Sequence, residues 1–276
     1  MNQGRVNDLA MTLSLLIVVP TLDSHSLLAR LLRSLQAQSW PHWRLLFIDG
    51  LSGPEHRQWL MSSCAVEPRC LWCEQDASEP GIFGAMNQGF AQAGPCDWLL
   101  FWGSDDWAAD PTVLDQVAAA LEAAAPNGVS PDLLVCRGRY ADAASGYLAR
   151  ATAFQSAGVL DAAAYRRALM FGFTPPHQAT LFGPGARQRL ARYSSGFRLC
   201  ADLDYFLLLS RHLGLRVQCL DLELVHMGDG GVSGQQTKRR LKEVHRAYRR
   251  AFGWYWWFPF LMRYLRRVAS LLERSR

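Results

Sequence analysis

The stretch that decides the fold is WLLFWGSDDW, residues 98–107. It opens with five apolar residues, and an apolar run this short, between Pro95 and Gly103, fits a strand buried on both faces better than a helix. Two carboxylates, Asp105 and Asp106, follow on the turn just past the end of that strand. Ligands of open α/β sheets bind at the carboxyl ends of the strands, so this turn is a candidate binding site.

The acidic doublet has two interpretations. Adjacent carboxylates on a turn repel each other unless a positive charge holds them, and a divalent cation with oxygen ligands is a natural partner. The alternative is a plain turn in which Asp110 caps a helix that begins at Pro111. The doublet alone leaves both interpretations open.

Strand and helix patterns alternate on both sides of this stretch. Strands are predicted at 13–19, 43–48, 69–73, 98–102 and 132–136, with helices at 27–35, 55–63, 82–94 and 111–124 between them. This alternation predicts an α/β fold with a mostly parallel twisted sheet and flanking helices. Beyond residue 137 the pattern weakens to strands at 178–182 and 215–220, helices at 185–193 and 203–213, and a glycine-rich loop at 226–234.

The charge of the chain is unevenly distributed. The 276 residues are half hydrophobic and carry a net charge of +5. From Lys238 onward there are 12 Lys or Arg against 2 acidic residues, whereas the remainder has 17 basic against 22 acidic residues. A basic segment on an acidic body indicates an anionic surface partner, either lipid or nucleic acid.

Neither the amino terminus nor the cysteines predict export. The apolar run MTLSLLIVV resembles a signal peptide, but no small-residue cleavage site follows and the run stops at Pro20. No stretch reaches the roughly 18 apolar residues of a spanning helix. The seven cysteines form no regular framework, and Cys70 and Cys73 are expected to be buried thiols in a reducing cytoplasm.

The first strand-to-helix turn, PTLDSHS, contains no glycine. A dinucleotide-binding turn or a P-loop needs glycines there so that the backbone approaches the phosphates, which argues against both. Acidic groups instead follow three strands, at Asp49, at 74–76 and at 105–106. Parallel strands bring such ends to one edge of the sheet, which favours a polar ligand that brings a cation.

Seven motifs occur in the order and spacing of family 2 glycosyltransferases, and the chain resembles the bacterial members that build cell-surface polysaccharides. The motifs are LSLLIVVPT, LLFIDGLS, EPGIFGAMNQGFAQA, DWLLFWGSDDW, PPHQATLF, CADLDYFLLL and GGVSG, within residues 12–235. The resemblance implies a GT-A-like fold and a metal-dependent, inverting, hexosyltransferase-like enzyme. Such an enzyme moves sugar from a nucleoside diphosphate donor, expected to be UDP-linked, to a hydroxyl acceptor, expected to be a lipid-linked glycan.

The resemblance also implies roles for individual residues. Asp202 matches the catalytic base, Asp106 the ligand of Mg²⁺ or Mn²⁺, and Asp105 the ribose contact. The remaining donor-binding positions comprise the base pocket (Pro20, Thr21 and Asp49), a position near the donor (Asn87), and two segments that close over sugar and phosphates (His177 with Gln178, and Gly231 with Ser233).

Three departures from the family pattern leave alternatives open. Ser104 stands where many relatives carry an Asp, Gly84 stands where another Asp is common, and Glu79 takes the place of a third. One alternative is therefore a degenerate nucleotide-binding or interaction module without transferase activity. Another is nucleic-acid binding through the basic tail, which the acidic strand ends disfavour. Asp202 itself has an alternative as a helix cap.

The carboxyl-terminal tail has a helical pattern. Apolar residues recur at three- and four-residue steps (Trp257, Leu261, Tyr264, Leu265, Val268, Leu272), and Arg263, Arg266, Arg267 and Arg274 fall on the other side. We expect a domain of residues 1–235 and a basic amphipathic extension of residues 236–276. The pattern predicts contact with an anionic membrane, as a peripheral protein on the inner face of the cytoplasmic membrane, with a docked helix as the alternative.

Overall fold

One ten-stranded sheet organises the chain. The computed structural model describes residues 13–124, 129–142, 147–152, 154–228 and 236–272, with side chains to Val268. The strands are β1 (Ser14–Thr21), β2 (Trp43–Asp49), β3 (Cys70–Glu74), β4 (Asp97–Phe101), β5 (Trp107–Ala108), β6 (Leu133–Ala141), β7 (Leu148–Ala151), β8 (Gly158–Asp161), β9 (Thr180–Phe182) and β10 (Arg216–Gly228). Their order is β3-β2-β1-β4-β9-β6-β10-β5, with β7 on β6 and β8 on β10.

Helices cover both faces of this sheet. They are α1 (His25–Gln36), α2 (Pro54–Val66), α3 (Ile82–Gln92), α4 (Val113–Ala123), α5 (Ala162–Met170), α6 (Pro184–Arg189), α7 (Ala201–Leu209), α8 (Thr237–Phe252) and α9 (Trp257–Leu272). One 3₁₀ turn, His177–Ala179, precedes β9, and another, Gly253–Tyr255, lies between α8 and α9. The α/β architecture predicted from the sequence is confirmed.

The parallel half of the sheet is the part that the apolar runs predicted. Strands β3, β2, β1 and β4 pair in parallel. Every residue of β4 is buried, as expected for a strand covered on both faces. Along β1, Leu16 and Val18 join one core cluster, while Leu15, Ile17 and Val19 join the other. The continuous apolar run therefore fills two cores, one on each face of the sheet.

The predicted glycine-rich loop begins too early. His226–Gly228 is strand, because β10 continues in parallel with β6 as far as the pairing of Gly228 with Ala141. A glycine ends this strand because a Cβ at Gly228 would lie 2.3 Å from Oδ2 of Asp105. The prediction of a loop was therefore wrong at His226–Gly228, and residues 229–234 lie outside the described residues.

Two shorter elements also differ from the prediction. Gln178 belongs to the 3₁₀ turn, so β9 starts only at Thr180. Helix α6 ends at Arg189, short of the predicted Tyr193, and a chain segment then leads into α7. The side chain of Tyr193 is buried in that segment. Tyr193, which suggested a longer helix, therefore packs into the core from an irregular segment.

Helix α8 packs into the main core. Val244, Ala247 and Phe252 belong to the same buried cluster as residues of β1 and α7. Residues 236–252, which the sequence analysis assigned to a separate extension, therefore pack into the core of the main domain. Gly253, with φ of 60°, ends α8 and turns the chain towards α9.

Two arginines of α9 contact the protein body. Arg263 donates to Oγ1 of Thr174 at 2.6 Å, and the guanidinium of Arg266, whose residue stays exposed, lies 3.3 Å from the ring centre of Phe173. Burial lowers the pKa of Arg267. The spacing of the sequence did not predict these contacts, because periodicity does not reveal which side of a helix docks, and Arg274 lies outside the described residues. Among the described residues, no helix combines the length and apolar character needed to cross a bilayer.

Candidate active site

The loops after β1 and β2 are joined into one wall at the carboxyl edge of the sheet. The N–H of Gly50 donates to the Thr21 carbonyl at 2.8 Å. The Asp23 N–H donates to Oγ of Ser52, and Oδ1 of Asp23 accepts from the Gly53 N–H, both at 2.8 Å. Backbone strain accompanies this joint, since Asp23 has φ of 46° and non-glycine residues seldom adopt such values.

Asp49 lies beneath this wall with its carboxylate fully buried. Its oxygens accept the Ser52 N–H at 3.2 Å, and Nε of Arg57 lies 3.3 Å away. Nε2 of His56 is 3.7 Å from Oδ1, and burial lowers the pKa of that ring. Asp49 therefore holds the β2 loop in shape. Its predicted contact with a nucleotide base stays a prediction, and it requires that loop to open.

Asp106 is the inner carboxylate of the acidic turn. It is 2% exposed and accepts the N–H of Gly103 at 2.6 Å. Burial raises the pKa of the Asp106 carboxyl well above its usual range, and the charge of Asp105 adds to the effect. Backbone N–H donors of Gly103 and Gly228 oppose that shift. Asp106 therefore ties the turn to the end of β10.

Asp105 is the more accessible carboxylate of the two. Its side chain is half-buried and lies between Gly103 and Gly228. A Cβ at Gly103 would lie 2.8 Å from Oδ1 of Asp105, and a Cβ at Gly228 would lie 2.3 Å from Oδ2. These two glycines therefore provide the space in which the carboxylate sits.

Ser104 fastens the acidic turn to β1. Its hydroxyl accepts from Oγ of Ser24 at 2.8 Å and donates to the Pro20 carbonyl at 3.3 Å. A serine at this position thus joins the carboxyl ends of β1 and β4 without adding charge. The structure also brings Pro20 and Thr21 next to the acidic turn. The buried Thr21 hydroxyl has no hydrogen-bond partner within the described part of the chain.

Asn87 connects α3 to the segment before α7. Its Oδ1 accepts the Tyr193 N–H at 2.7 Å, and its Nδ2 donates to the Tyr193 carbonyl at 3.3 Å. Nδ2 also donates to Glu79 at 3.2 Å, and Glu79 pairs with Arg192. No side chain fits at Gly84, because a Cβ added there would lie 1.7 Å from the Glu79 carbonyl oxygen. Asn87 therefore has a structural contact beside its predicted position near the donor.

His177 is buried at the end of β4. Its ring stacks on Phe101 with centroids 5.6 Å apart, and Nε2 is 2.6 Å from the Tyr193 hydroxyl. Burial lowers the pKa of His177, while the nearby charge of Asp202 opposes this. The Gln178 carbonyl accepts from Nε1 of Trp102 at 3.0 Å, which fixes the 3₁₀ turn to the start of the acidic turn.

Asp202 and Asp204 diverge on the first turn of α7. Asp204 is 0% exposed, and its Oδ2 lies 2.7 Å from Nη1 of Arg250 on α8. Asp202 is only half-buried and does not cap the helix, whose N-cap is Cys200 without a side-chain hydrogen bond. Its carboxylate lies close enough to His177 to influence the pKa of that ring. Asp202 therefore lies near His177 and remains partly accessible.

Glu243 is a residue that the sequence analysis missed. Its carboxylate accepts three successive backbone N–H groups, from Arg198 at 3.1 Å, Leu199 at 2.8 Å and Cys200 at 3.1 Å. These donors lie immediately before α7, so α8 fixes the segment that presents Asp202. The signal available in the sequence was that Glu243 is the one acidic residue of a helix that carries seven Lys or Arg.

Cation ligands are limited in this site. Within the described residues, no three His, Cys, Asp or Glu side chains come together as a metal site. The oxygen donors at the edge are the carboxylates of the acidic turn, and a hard divalent cation takes such ligands together with phosphate oxygens. The residues therefore fit a cation that is shared with a diphosphate. Gly231 and Ser233, predicted to close over the donor, lie outside the described residues.

Comparison with known proteins agrees with this arrangement. Residues 16–149 match the family model for glycosyl transferase family 2. A family 2 glycosyltransferase domain is therefore recognised in this stretch. The matched region begins within β1 and includes β2 to β4 and the acidic turn, whereas α7 and α8 lie beyond it.

Curated relatives of this chain include a PGL/p-HBAD biosynthesis glycosyltransferase of Mycobacterium bovis and one of Mycobacterium tuberculosis. Each is 28% identical over 189 residues, which covers 68% of this chain and 66% of the relative. The chain thus aligns with slightly less than two thirds of the length of these relatives. Recognition of the family from the seven motifs is confirmed.

Solved structures show the GT-A fold. S. aureus TarS 1-349 matches with a TM-score of 0.65 at 15% identity, covering 86% of this chain and 64% of that one. The same TarS fragment with UDP-GlcNAc matches at 16% identity, also with a TM-score of 0.65, over 87% and 68% of the two chains. The mannosyltransferase PcManGT from Pyrobaculum calidifontis, solved with GDP-Man and Mn²⁺, has a TM-score of 0.57 at 14% identity, over 86% and 63%.

Proposed function

We propose that this protein transfers a sugar from a nucleoside diphosphate donor to a hydroxyl acceptor. The observation that carries the proposal is the joining of three groups at one edge of the sheet. They are the β1 loop at Pro20, the acidic turn after β4, and the 3₁₀ turn beside Asp202. A nucleotide, a cation-bound diphosphate and an acceptor hydroxyl need binding groups of these three kinds. The donor class is UDP-linked, which the UDP-GlcNAc complex of TarS supports.

The cation of this proposal is Mg²⁺ or Mn²⁺, held by the acidic turn. Asp105 is its direct protein ligand, because the carboxylate of Asp106 is buried and occupied by backbone N–H donors. Asp106 keeps the turn in place. When bound, such a cation stabilises as a Lewis acid the negative charge on the departing diphosphate. The PcManGT complex with Mn²⁺ supports the choice of cation.

Asp202 is the base of the proposed reaction. An ionised carboxylate that accepts the proton of the acceptor hydroxyl typically contributes about 10²–10⁴ in rate. Displacement of the diphosphate from the opposite side of the sugar then inverts the anomeric centre. Asp204 is unsuited to this role because it is buried and paired with Arg250.

The acceptor of the proposed reaction is a lipid-linked glycan at the inner face of the cytoplasmic membrane. The support is the basic, partly apolar carboxyl-terminal helix pair, whose first helix, α8, holds the segment before Asp202 through Glu243. The curated relatives are named as PGL/p-HBAD biosynthesis glycosyltransferases, so they too are biosynthetic sugar-transfer enzymes.

The test is thermal unfolding of the whole chain with UDP, GDP, UDP-GlcNAc and GDP-mannose, each with and without Mn²⁺. A ligand that binds the native state raises the melting temperature by mass action, so the correct donor stands out. Hydrolysis of that donor then tests turnover, and proton NMR of the product reports the anomer. Absence of any nucleotide-dependent shift contradicts the proposal. Binding without turnover indicates the degenerate binding module instead.

A further inference from the structure

The outer side of α9 is an apolar ridge. Trp257, Leu261, Leu265 and Val268 recur along it, each between 49% and 54% exposed, and Trp254 in the preceding turn is 84% exposed. We call these five residues the α9 ridge. Contiguous exposed apolar surface with aromatic residues marks an interaction site in soluble domains.

The α9 ridge is the side of the helix opposite to its docked face. Pro259 is buried, and Arg263 and Arg266 contact Thr174 and Phe173 of the protein body. The close approach of α9 to the body is also visible at Gly172, whose Cβ would lie 2.6 Å from Cα of Arg263. Within the described residues, the ridge side chains stay about half exposed or more on the side away from these contacts.

Helix α8 lies beside α9 and presents a row of cations. The helices touch along their flanks, through His245 with Trp256 at 4.3 Å and Tyr248 with Phe260 at 6.4 Å between ring centres. The face of α8 opposite to its buried Val244, Ala247 and Ala251 carries exposed Lys238, Lys242 and Arg249, which we call the α8 row. Helix α8 as a whole has seven Lys or Arg against one Glu.

The ridge and the row share one surface. Both helices press one face onto the body and touch each other along their sides, so their outward faces lie next to each other. An apolar strip beside a cationic strip has the chemistry of the boundary between acyl chains and anionic headgroups. Indole rings suit that depth because they are apolar with one polar N–H.

We propose that this surface binds a bilayer containing anionic phospholipid, with the α9 ridge among the acyl chains and the α8 row on the headgroups. The assignment differs from the one that spacing predicted, because the charge comes from α8, whereas Arg263 and Arg266 of α9 contact the body. A protein partner would cover the ridge without requiring the row, and a nucleic acid would use the row without the ridge. Membrane binding uses both, and it does not depend on the transfer reaction proposed above.

The experiment is flotation of the full chain with vesicles of phosphatidylcholine alone or mixed with phosphatidylglycerol, at low and high salt. The wild type should bind mixed vesicles best, and salt should weaken but not abolish binding, since screening acts on the row alone. Leu261→Asp with Leu265→Asp should lower the affinity for both vesicle types by at least about tenfold. Lys242→Gln with Arg249→Gln should weaken only binding to mixed vesicles at low salt.

Matched controls use surface positions elsewhere. Leu213→Asp replaces an apolar residue that is 95% exposed, and Arg33→Gln with Arg211→Gln removes two exposed charges. Both should bind vesicles as the wild type does, and circular dichroism should show every variant folded. A folded ridge variant with wild-type vesicle binding overturns the proposal. So does a wild-type dimer that the ridge variant dissociates, because a second copy would then cover the ridge.

Discussion

Oδ2 of Asp204 lies 2.7 Å from Nη1 of Arg250, in a pair that joins the first turn of α7 to α8. Asp202, two residues earlier, is half-buried and does not share this pair. Two residues on a helix differ by about 200° in direction, so the Asp204 carboxylate faces the core while Asp202 stays partly accessible. The pair thus separates a structural aspartate from a candidate base within one helical turn.

The first prediction compares these two aspartates. Asp202→Asn should lower kcat by about 10²-fold or more while donor binding is retained, because the variant cannot accept the acceptor proton. Asp204→Asn should instead lower the free energy of unfolding by about 1–3 kcal/mol and leave most of the turnover, because it weakens a partly buried ion pair. Steady-state kinetics and chemical denaturation measure the two effects. The opposite ranking in kcat would make Asp204 the base.

The second prediction concerns the acidic turn. Asp105→Asn should raise the Mn²⁺ concentration needed for half-maximal activity by at least about tenfold, because it removes the direct carboxylate ligand of a hard cation. Asp106→Asn should change this concentration less, since Asp106 mainly accepts backbone N–H groups. Titration of Mn²⁺ at fixed donor, with thermal unfolding in EDTA as a control for folding, separates the two. A larger effect of Asp106→Asn would restore Asp106 as the ligand that the resemblance implied.

The third prediction gives Glu243 a positioning role. Glu243→Gln should reduce kcat by about tenfold while donor affinity is unchanged, because a neutral amide holds the three N–H groups before α7 less firmly. Arg239→Gln is the matched control, since Arg239 lies 3.2 Å from Oε1 of Glu243 but does not touch those N–H groups. A purely structural role for Glu243 would show as a lower melting temperature with unchanged kcat at a temperature where the variant is fully folded.

The fourth prediction uses the buried ring of His177. Because burial lowers its pKa in the folded protein, the unfolded chain binds the proton more readily once the pH falls below about 6.5. Stability is therefore fully present above that pH and declines on acidification, by up to about 1.4 kcal/mol per pH unit until the folded pKa is reached.

Replacement of His177 should remove this contribution. Between about pH 7.5 and about pH 5.5, roughly one unit on each side of the unfolded pKa, His177→Gln should lose less free energy of unfolding than the wild type does. The exposed His42 provides the control His42→Gln, which should follow the wild type. Urea denaturation at several pH values measures the difference, and parallel curves for wild type and His177→Gln would contradict a neutral buried ring.

The strands could be predicted because they depend on local pattern. A continuous apolar run such as the one in β4 is buried on both faces in any parallel sheet, so its position follows from the residues themselves. The Asp105–Asp106 turn and the motif around Asp202 could likewise be recognised, because each is formed by residues that are consecutive in the sequence. Recognition of the glycosyltransferase family followed from the order of seven such segments.

What only the tertiary structure decided is which side each group faces. Asp105 and Asp106 are neighbours in sequence, yet one sits in a space left by Gly103 and Gly228 while the other is buried by the end of a strand more than 100 residues away. Glu243 has no local signature, because its three hydrogen bonds are to backbone groups over 40 residues earlier. Periodicity gives the two sides of a helix but not which one docks, since docking depends on the shape and charge of surfaces brought together by folding.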